Sequence, residues 1–247
     1  MDNHLLINPK LEKEKIINFL KKTLKEQKID KIILGLSGGV DSTTVFYILK
    51  EFMTEKNIYV VQMDYYLRQK ISLPIKSVNL IFSPIKKIVD ITAEKLRITD
   101  PVRFGNIMAR TRMMILFDLA KKFNALVSGT ENKSEKLLGY FTRFGDAASD
   151  LEPISHLYKT QVYQLAKYLE IPKETINQPP SAGLWDGQTD EDEFGFSYLE
   201  ADQVLHLYYD ENIPLKEILK QGFKNAQKII TRSLNNHFKL KTPYSLK

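Results

Sequence analysis

A chain of 247 residues that is 43% hydrophobic can bury a substantial core, and one domain spanning residues 1–247 is the expectation. Cysteine is absent, which excludes disulfides, cysteine zinc sites, a cysteine nucleophile and hence a cysteine-dependent glutaminase in the same chain. The 36 Lys and Arg against 30 Asp and Glu are interleaved without a concentrated basic stripe, so the net charge of +6 argues for a small polyanionic substrate and against nucleic acid.

Residues 1–10 lack the apolar stretch and cleavage site of a leader, and no apolar run is long enough to span a bilayer. The expected location is the cytoplasm, with no membrane partner. Ile16, Phe19, Leu20, Thr23 and Leu24 recur at helical spacing, and Lys21, Lys22, Lys25 and Lys28 read as the solvated face of that helix. An apolar run at 31–36 predicts a strand, and Ser37-Gly38-Gly39-Val40-Asp41-Ser42 leads from it into a helix near Thr43. Glycines let the backbone approach an anion, serine hydroxyls donate to it, and a helix start presents N–H groups with a positive dipole end. No lysine follows in Walker order, and a carboxylate in such a turn repels phosphate unless a cation stands between them, so Asp41 reads as a magnesium ligand. The bland alternative is an ordinary strand-to-helix turn.

Val45, Ile48, Leu49 and Phe52 give the next helix a buried stripe, and 58–63 reads as a second strand, completing a right-handed βαβ unit. Residues 64–84 show no sustained period and read as a loop with at most a short helix. A third strand is expected at 85–91, a partial helix at 93–98 broken before Pro101, and a long helix at 106–123 with Arg110 and Arg112 on different faces. A strand at 125–128 then delivers Thr130 and Glu135 to the same rim as the first loop. Glu135 either shares a magnesium ion with Asp41 or is a dipole-stabilised glutamate in a first helical turn. Lys159, near the start of a helix ending at 169, opposes the dipole, which makes an anionic partner plausible. Residues 179–190 hold two prolines, two glycines and Trp185, the sole tryptophan, and read as a lid; 137–150 is expected to move with it. Two or three helices follow over 198–237, with Gly222 a stop. The fold class is α/β, a doubly wound parallel sheet flanked by helices, with a helical C-terminal part.

The loop at 37–42 resembles the pyrophosphate loop of the ATP pyrophosphatases. Behind it, Gly139-Tyr140-Phe141-Thr142-Arg143-Phe144-Gly145-Asp146, Leu157-Tyr158-Lys159-Thr160-Gln161 and Pro179-Pro180-Ser181-Ala182-Gly183-Leu184-Trp185 resemble the ammonia-dependent NAD synthetases over about residues 32–195, and more weakly in the tail. The resemblance implies an adenine nucleotide alpha hydrolase-like fold and the last step of NAD biosynthesis. There ATP adenylates the nicotinate carboxylate of deamido-NAD, and ammonia then displaces AMP. It implies that Gly35, Leu36, Ser37, Gly38, Gly39, Val40, Asp41, Ser42, Thr130, Lys159 and Ser181 bind ATP. Arg110, Arg143, Asp150 and Lys239 would bind deamido-NAD, and Asp41 and Glu135 magnesium. A homodimer and an external ammonia donor also follow from it. No side chain stands out as a covalent nucleophile, so positioning and electrostatics must supply the acceleration. The chain departs from the family pattern at Ala147 and Ala148 (usually glycines), Arg143 (usually lysine), Phe238 (usually histidine) and Gln62, which replaces an ATP-contacting arginine. Another ATP pyrophosphatase and a degenerate nucleotide-binding regulator are the alternatives; intact Asp41, Glu135 and Lys159 argue against the second.

Overall fold

A computed structural model of the chain describes residues 3–66, 78–181, 183, 187–241 and 243–246. Helix α1, Pro9–Gln27, starts where the Asn8 side chain accepts the Leu11 N–H and Pro9 occupies the first turn, a place where its missing N–H is harmless. Ile16, Leu20 and Leu24 form its buried stripe, while the four lysines read as solvated are exposed. Strand β1, Ile32–Gly35, precedes α2, Val40–Phe52, and β2, Ile58–Gln62. Strand β3, Asn79–Phe82, is followed by α3, Lys86–Lys95, and α4, Pro101–Phe123. Strand β4, Leu126–Ser128, then leads to α5, Lys133–Leu138, and α6, Lys159–Tyr168.

Among the described residues the four strands are all parallel, in the order β3-β2-β1-β4. Alternation along them feeds two cores. Ile32, Leu34, Ile58 and Val60 pack against α1, α2 and α6, whereas Ile33, Val61 and Val127 pack against Val89 of α3 and Met108 of α4. Helices thus cover both faces, as a parallel sheet requires. After α6 the chain adds α7, Lys173–Ile176, α8, Asp190–Phe194, α9, Tyr198–Leu205, α10, Leu215–Lys220, and α11, Ala226–Asn236. Phe194, Tyr198, Val204, Ile218 and Ile229 of these helices share a third core with Leu138 of α5, which is the expected helical C-terminal part.

Two sequence expectations fail here. The strand expected at 85–91 is α3, and the third strand lies instead at Asn79–Phe82, inside the stretch read as a loop. Ile85, Ile88, Val89 and Ile91 mimic a strand by β-branching, but Val89 and Ala93 are the buried pair at helical spacing while Ile88 and Ile91 are 41% and 50% exposed. Strand β3 was hidden because it is an edge with Leu80 and Phe82 turned outward. The expected partial helix at 93–98 is the end of α3, and the long helix begins five residues before 106, with Asp100 as its N-cap and Pro101 in its first turn. Trp185, the reporter of the expected lid, lies outside the described residues. Among the described residues no helix is long and apolar enough to cross a membrane.

The strand order sets where ligands can enter. The chain runs outward from β1 through β2 to β3, then returns to lay β4 on the other side of β1. At such a reversal the loops at the carboxyl ends of the two central strands diverge and leave a cleft. Those loops carry residues 36–39 and 129–132.

Candidate active site

The loop after β1 is organised by its own hydroxyls. Ser37 Oγ accepts the Gly39 N–H at 3.2 Å and lies 3.0 Å from Ser42 Oγ, which accepts the Ser37 N–H at 3.3 Å. Gly38 adopts φ +85°, a left-handed conformation that favours glycine. Gly39 is different: its φ of −73° suits any residue, but a Cβ there would meet nothing closer than the Ser37 hydroxyl at 3.4 Å. The space over the first turn of α2 is therefore open, and glycine keeps it so, as an anion cradle needs.

Asp41 leaves this turn toward the loop after β4. Its Oδ1 accepts the Asn132 amide at 3.0 Å, and its Oδ2 lies 2.5 Å from the Lys159 ammonium. Glu135 Oε1 meets the same ammonium at 3.2 Å. Glu135 also forms a reciprocal capping box with Asn132 at the start of α5, as the first-turn reading of this residue expects. Lys159 is the first residue of α6, with its side chain only 3% exposed. Burial alone would discharge it, but the two carboxylates more than offset that and hold the ammonium above its ordinary range. Burial raises Glu135 while Lys159 works in the opposite direction.

Two helix starts are bound together beneath this triad. The Ser134 hydroxyl accepts the Lys159 N–H at 2.8 Å and donates to Asp202, whose other oxygen accepts the Thr160 N–H at 2.8 Å. Asp202 is fully buried in α9; burial pushes its carboxyl up to about 6 against the lowering hydrogen bonds from Ser134 and Thr160. The tail thereby fixes the direction of Lys159.

Gly35 and Leu36 end β1 and open the loop, and Thr130 stands half-buried on the β4 rim. Ser181 is exposed, its hydroxyl accepting the Gly183 N–H at 3.0 Å. The residues expected to hold the dinucleotide are tied into loops and strand ends by their own contacts. Arg110 donates to the Arg143 carbonyl at 3.3 Å, and the Arg143 guanidinium lies 5.2 Å from the centre of the Phe238 ring. Phe238 thus gives Arg143 a π face. Arg112 turns the other way, to the Met63 carbonyl at 3.2 Å. Asp150 accepts the Val127 N–H at 2.8 Å, and Lys239 donates to the carbonyls of Gly139 at 2.6 Å and Phe141 at 3.2 Å.

Sequence reasoning missed Asn132, Ser134, Asp202 and a buried carboxyl pair. Asn132 had a readable signal in Asn-Lys-Ser-Glu, an N-cap followed by glutamate at the third helical position. Asp202 had none, since its partners are remote in sequence. Glu131 and Glu152 crowd the end of β4: burial and mutual repulsion push Glu131 up to about 9, and burial pushes Glu152 up to about 7 against hydrogen bonds from Ser149 and the Glu131 N–H. Gln62, at the end of β2, is 1% exposed with neither side-chain amide atom hydrogen-bonded.

A doubly wound parallel sheet with a hydroxyl-lined glycine turn and a carboxylate–lysine–carboxylate triad at its switch point defines an α/β protein of the pyrophosphate-loop class. The chain belongs to the NAD synthase family, whose model matches residues 12–243. It is 40% identical over 256 residues to the NH(3)-dependent NAD(+) synthetase of Fusobacterium nucleatum, covering 98% of this chain and 97% of that protein. Among solved structures it is similar to an NMN synthetase from Francisella tularensis, with a TM-score of 0.83, 30% identity and coverage of 98% and 100%. An NH3-dependent NAD synthetase from Campylobacter jejuni in complex with the nitrate ion gives a TM-score of 0.81, 30% identity and the same coverage.

Proposed function

We infer that this chain is a ligase that joins ammonia to the nicotinate carboxylate of deamido-NAD, with ATP converted to AMP and pyrophosphate. The observation that carries the reading is the convergence of Asp41, Glu135 and Lys159 at the switch point, in a chain matching the family almost from end to end. In the first step a carboxylate oxygen bonds to the α-phosphorus and the bond to the β-phosphate oxygen breaks, releasing pyrophosphate. Ammonia then attacks the acyl carbon, AMP leaves with the bridging oxygen, and the amine loses a proton.

The residues fit the electrostatics of that sequence. Ser37, Gly38, Gly39 and Ser42 offer hydroxyl and N–H donors to the departing pyrophosphate, whose charge grows as the bond breaks. Lys159 is already charged and aimed, so no reorganisation is needed to meet that charge. Arg110 and Arg143 offer cations to the dinucleotide, and Asp150 and Lys239, which the resemblance also assigns to it, are tied to the Val127 N–H and to the Gly139 and Phe141 carbonyls. The donor set also fits magnesium, because oxygens of Asp41 and Glu135 already converge on one cationic nitrogen. Magnesium held by these carboxylates would neutralise the pyrophosphate oxygens. A cytoplasmic homodimer supplied by an external ammonia source is the setting the resemblance favours, and sedimentation velocity reads the dimer directly.

The test compares acceptors. With ATP, magnesium and ammonium, deamido-NAD is expected to exceed nicotinate mononucleotide in kcat/KM by about 100-fold or more, since the dinucleotide adds a second half to bind. Preference for the mononucleotide would reassign the chain to the activity named for its Francisella relative.

A further inference from the structure

The reaction uses neither His4, His206 nor Glu211, yet the fold gathers a donor atom of each within 4.8 Å of the others. The gathering is not an accident of a loose terminus. The turn Asn3–Leu5 is pinned to α6, where Gln164 donates to the Leu5 carbonyl at 2.9 Å and accepts the Ile7 N–H at 3.1 Å. Leu5 itself is buried in the C-terminal core.

On the other side, α9 runs into a π-helical turn, His206–Asp210, closed by the Glu211 N–H on the His206 carbonyl at 3.1 Å. A turn wider than α sets residues 210 and 211 together beside residue 206. Asp210 is the outer partner. Its carboxylate accepts from Lys133 at 2.6 and 2.7 Å and from Tyr158 at 2.9 Å, and its Oδ2 lies 3.0 Å from His206 Nδ1. A carboxylate so engaged fixes the proton on Nδ1 and leaves the Nε2 lone pair as a ligand, the arrangement carboxylates impose on metal-bound histidines.

That lone pair points at a conflict. His206 Nε2 is buried without a hydrogen-bond partner, and Glu211 Oε1 stands 3.3 Å away. Either a protonated imidazole or a bound cation would relieve that conflict, and the contact lacks the hydrogen-bond geometry that a proton on Nε2 would give it. The separation does match neighbouring ligands at tetrahedral angles on bonds of about 2.0–2.1 Å. The His4 ring lies 6.1 Å from the His206 ring, centre to centre, and supplies the third donor.

We propose that His4, His206 and Glu211 form a binding site for a borderline divalent transition ion of the zinc class, with Asp210 orienting His206 and water filling the fourth position. Two imidazoles and one carboxylate select such an ion over magnesium, which favours oxygen donors. The site joins the N-terminal turn to the π-helical turn, whose Asp210 also holds Tyr158, the residue before Lys159. It is separate from the carboxylates at the switch point.

The experiment uses the full chain without a tag, stripped of metal by chelation. Zinc is titrated against a chromogenic chelator in excess magnesium, with wild type, His4→Ala, Glu211→Gln and Glu135→Gln in parallel. One equivalent is expected to bind to wild type and Glu135→Gln, with affinity at least about tenfold lower in His4→Ala and Glu211→Gln. Cobalt is expected to give four-coordinate absorption bands that both variants lose. His4 is exposed and the Glu211 side chain is 49% exposed, so both substitutions leave the cores intact. Substoichiometric binding, binding unchanged in both variants, or loss confined to Glu135→Gln would each overturn the assignment.

Discussion

Lys159 is the residue on which the site depends, and its oddity was visible in the sequence: a cation at a helix start works against the dipole unless anions face it. The anions are Asp41 and Glu135. Lys159→Met should destabilise the ligand-free protein by about 3–5 kcal/mol, because it leaves two buried carboxylates facing one another. Adding Asp41→Asn should recover part of that loss, and urea melts of the double-mutant cycle would refute the coupling if the two effects simply add. Asp41→Asn and Glu135→Gln should each lower kcat by about 100-fold or more while the fold persists, and near-normal turnover at low magnesium would dismiss their shared role. The carboxyl pair makes a separate prediction. Glu131 and Glu152 hold protons in the folded protein up to about 9 and about 7, against an ordinary 4.5. The folded state then binds more protons than the unfolded one between those values, so stability falls as pH rises above about 4.5. The Glu152 contribution is lost by about 7 and that of Glu131 by about 9. The slope is at most about 1.4 kcal/mol per pH unit for each group. Melting curves of Glu131→Gln should be flatter than wild type between pH 7 and 9, and parallel profiles would count against the shifted carboxyl.

At the scale of elements, legibility followed periodicity and failed where tertiary context decided. Helices α1 and α2 could be read because one face of each meets a core, and strands β1, β2 and β4 because both of their faces do, which leaves a short continuous apolar run. Strand β3 could not, since an edge strand with outward Leu80 and Phe82 has no inward alternation to display, and β-branched residues disguised α3. The loop at 37–42 was legible because its chemistry is local, whereas the Asp202 bridge between α5 and α6 spans remote segments. Gly139 shows how the C-terminal helices are docked. It ends α5 at φ +64°, and a Cβ there would sit 2.2 Å from Asn236 Cβ of α11. Gly139→Ala should therefore cost about 2–4 kcal/mol through a strained cap and a displaced α11. It should also weaken deamido-NAD binding, because Lys239 holds the same loop; unchanged melting would show that α11 gives way freely. Gln62→Met removes a buried amide with no hydrogen bond and should stabilise the ligand-free fold by about 1–3 kcal/mol. An ATP KM that rises at the same time would mean that the amide is reserved for nucleotide.

The molecule as a whole joins a doubly wound sheet to a helical C-terminal part, and the site lies where the two meet. The turn after β1 and the start of α2 contribute the serine hydroxyls and Asp41, α5 and α6 contribute Glu135 and Lys159, and α9 ties the starts of α5 and α6 together through Asp202. Absence of cysteine sets the nitrogen source: ammonium should support turnover, while glutamine alone, with no partner protein, should give none. The central claim is that the carboxylate is activated by adenylation, and oxygen tracing tests it most directly. Deamido-NAD carrying ¹⁸O in its nicotinate carboxylate, turned over with ATP and ammonium, should place one labelled oxygen in the phosphate of AMP and none in pyrophosphate. Label in pyrophosphate, or AMP free of label while NAD accumulates, would contradict the account.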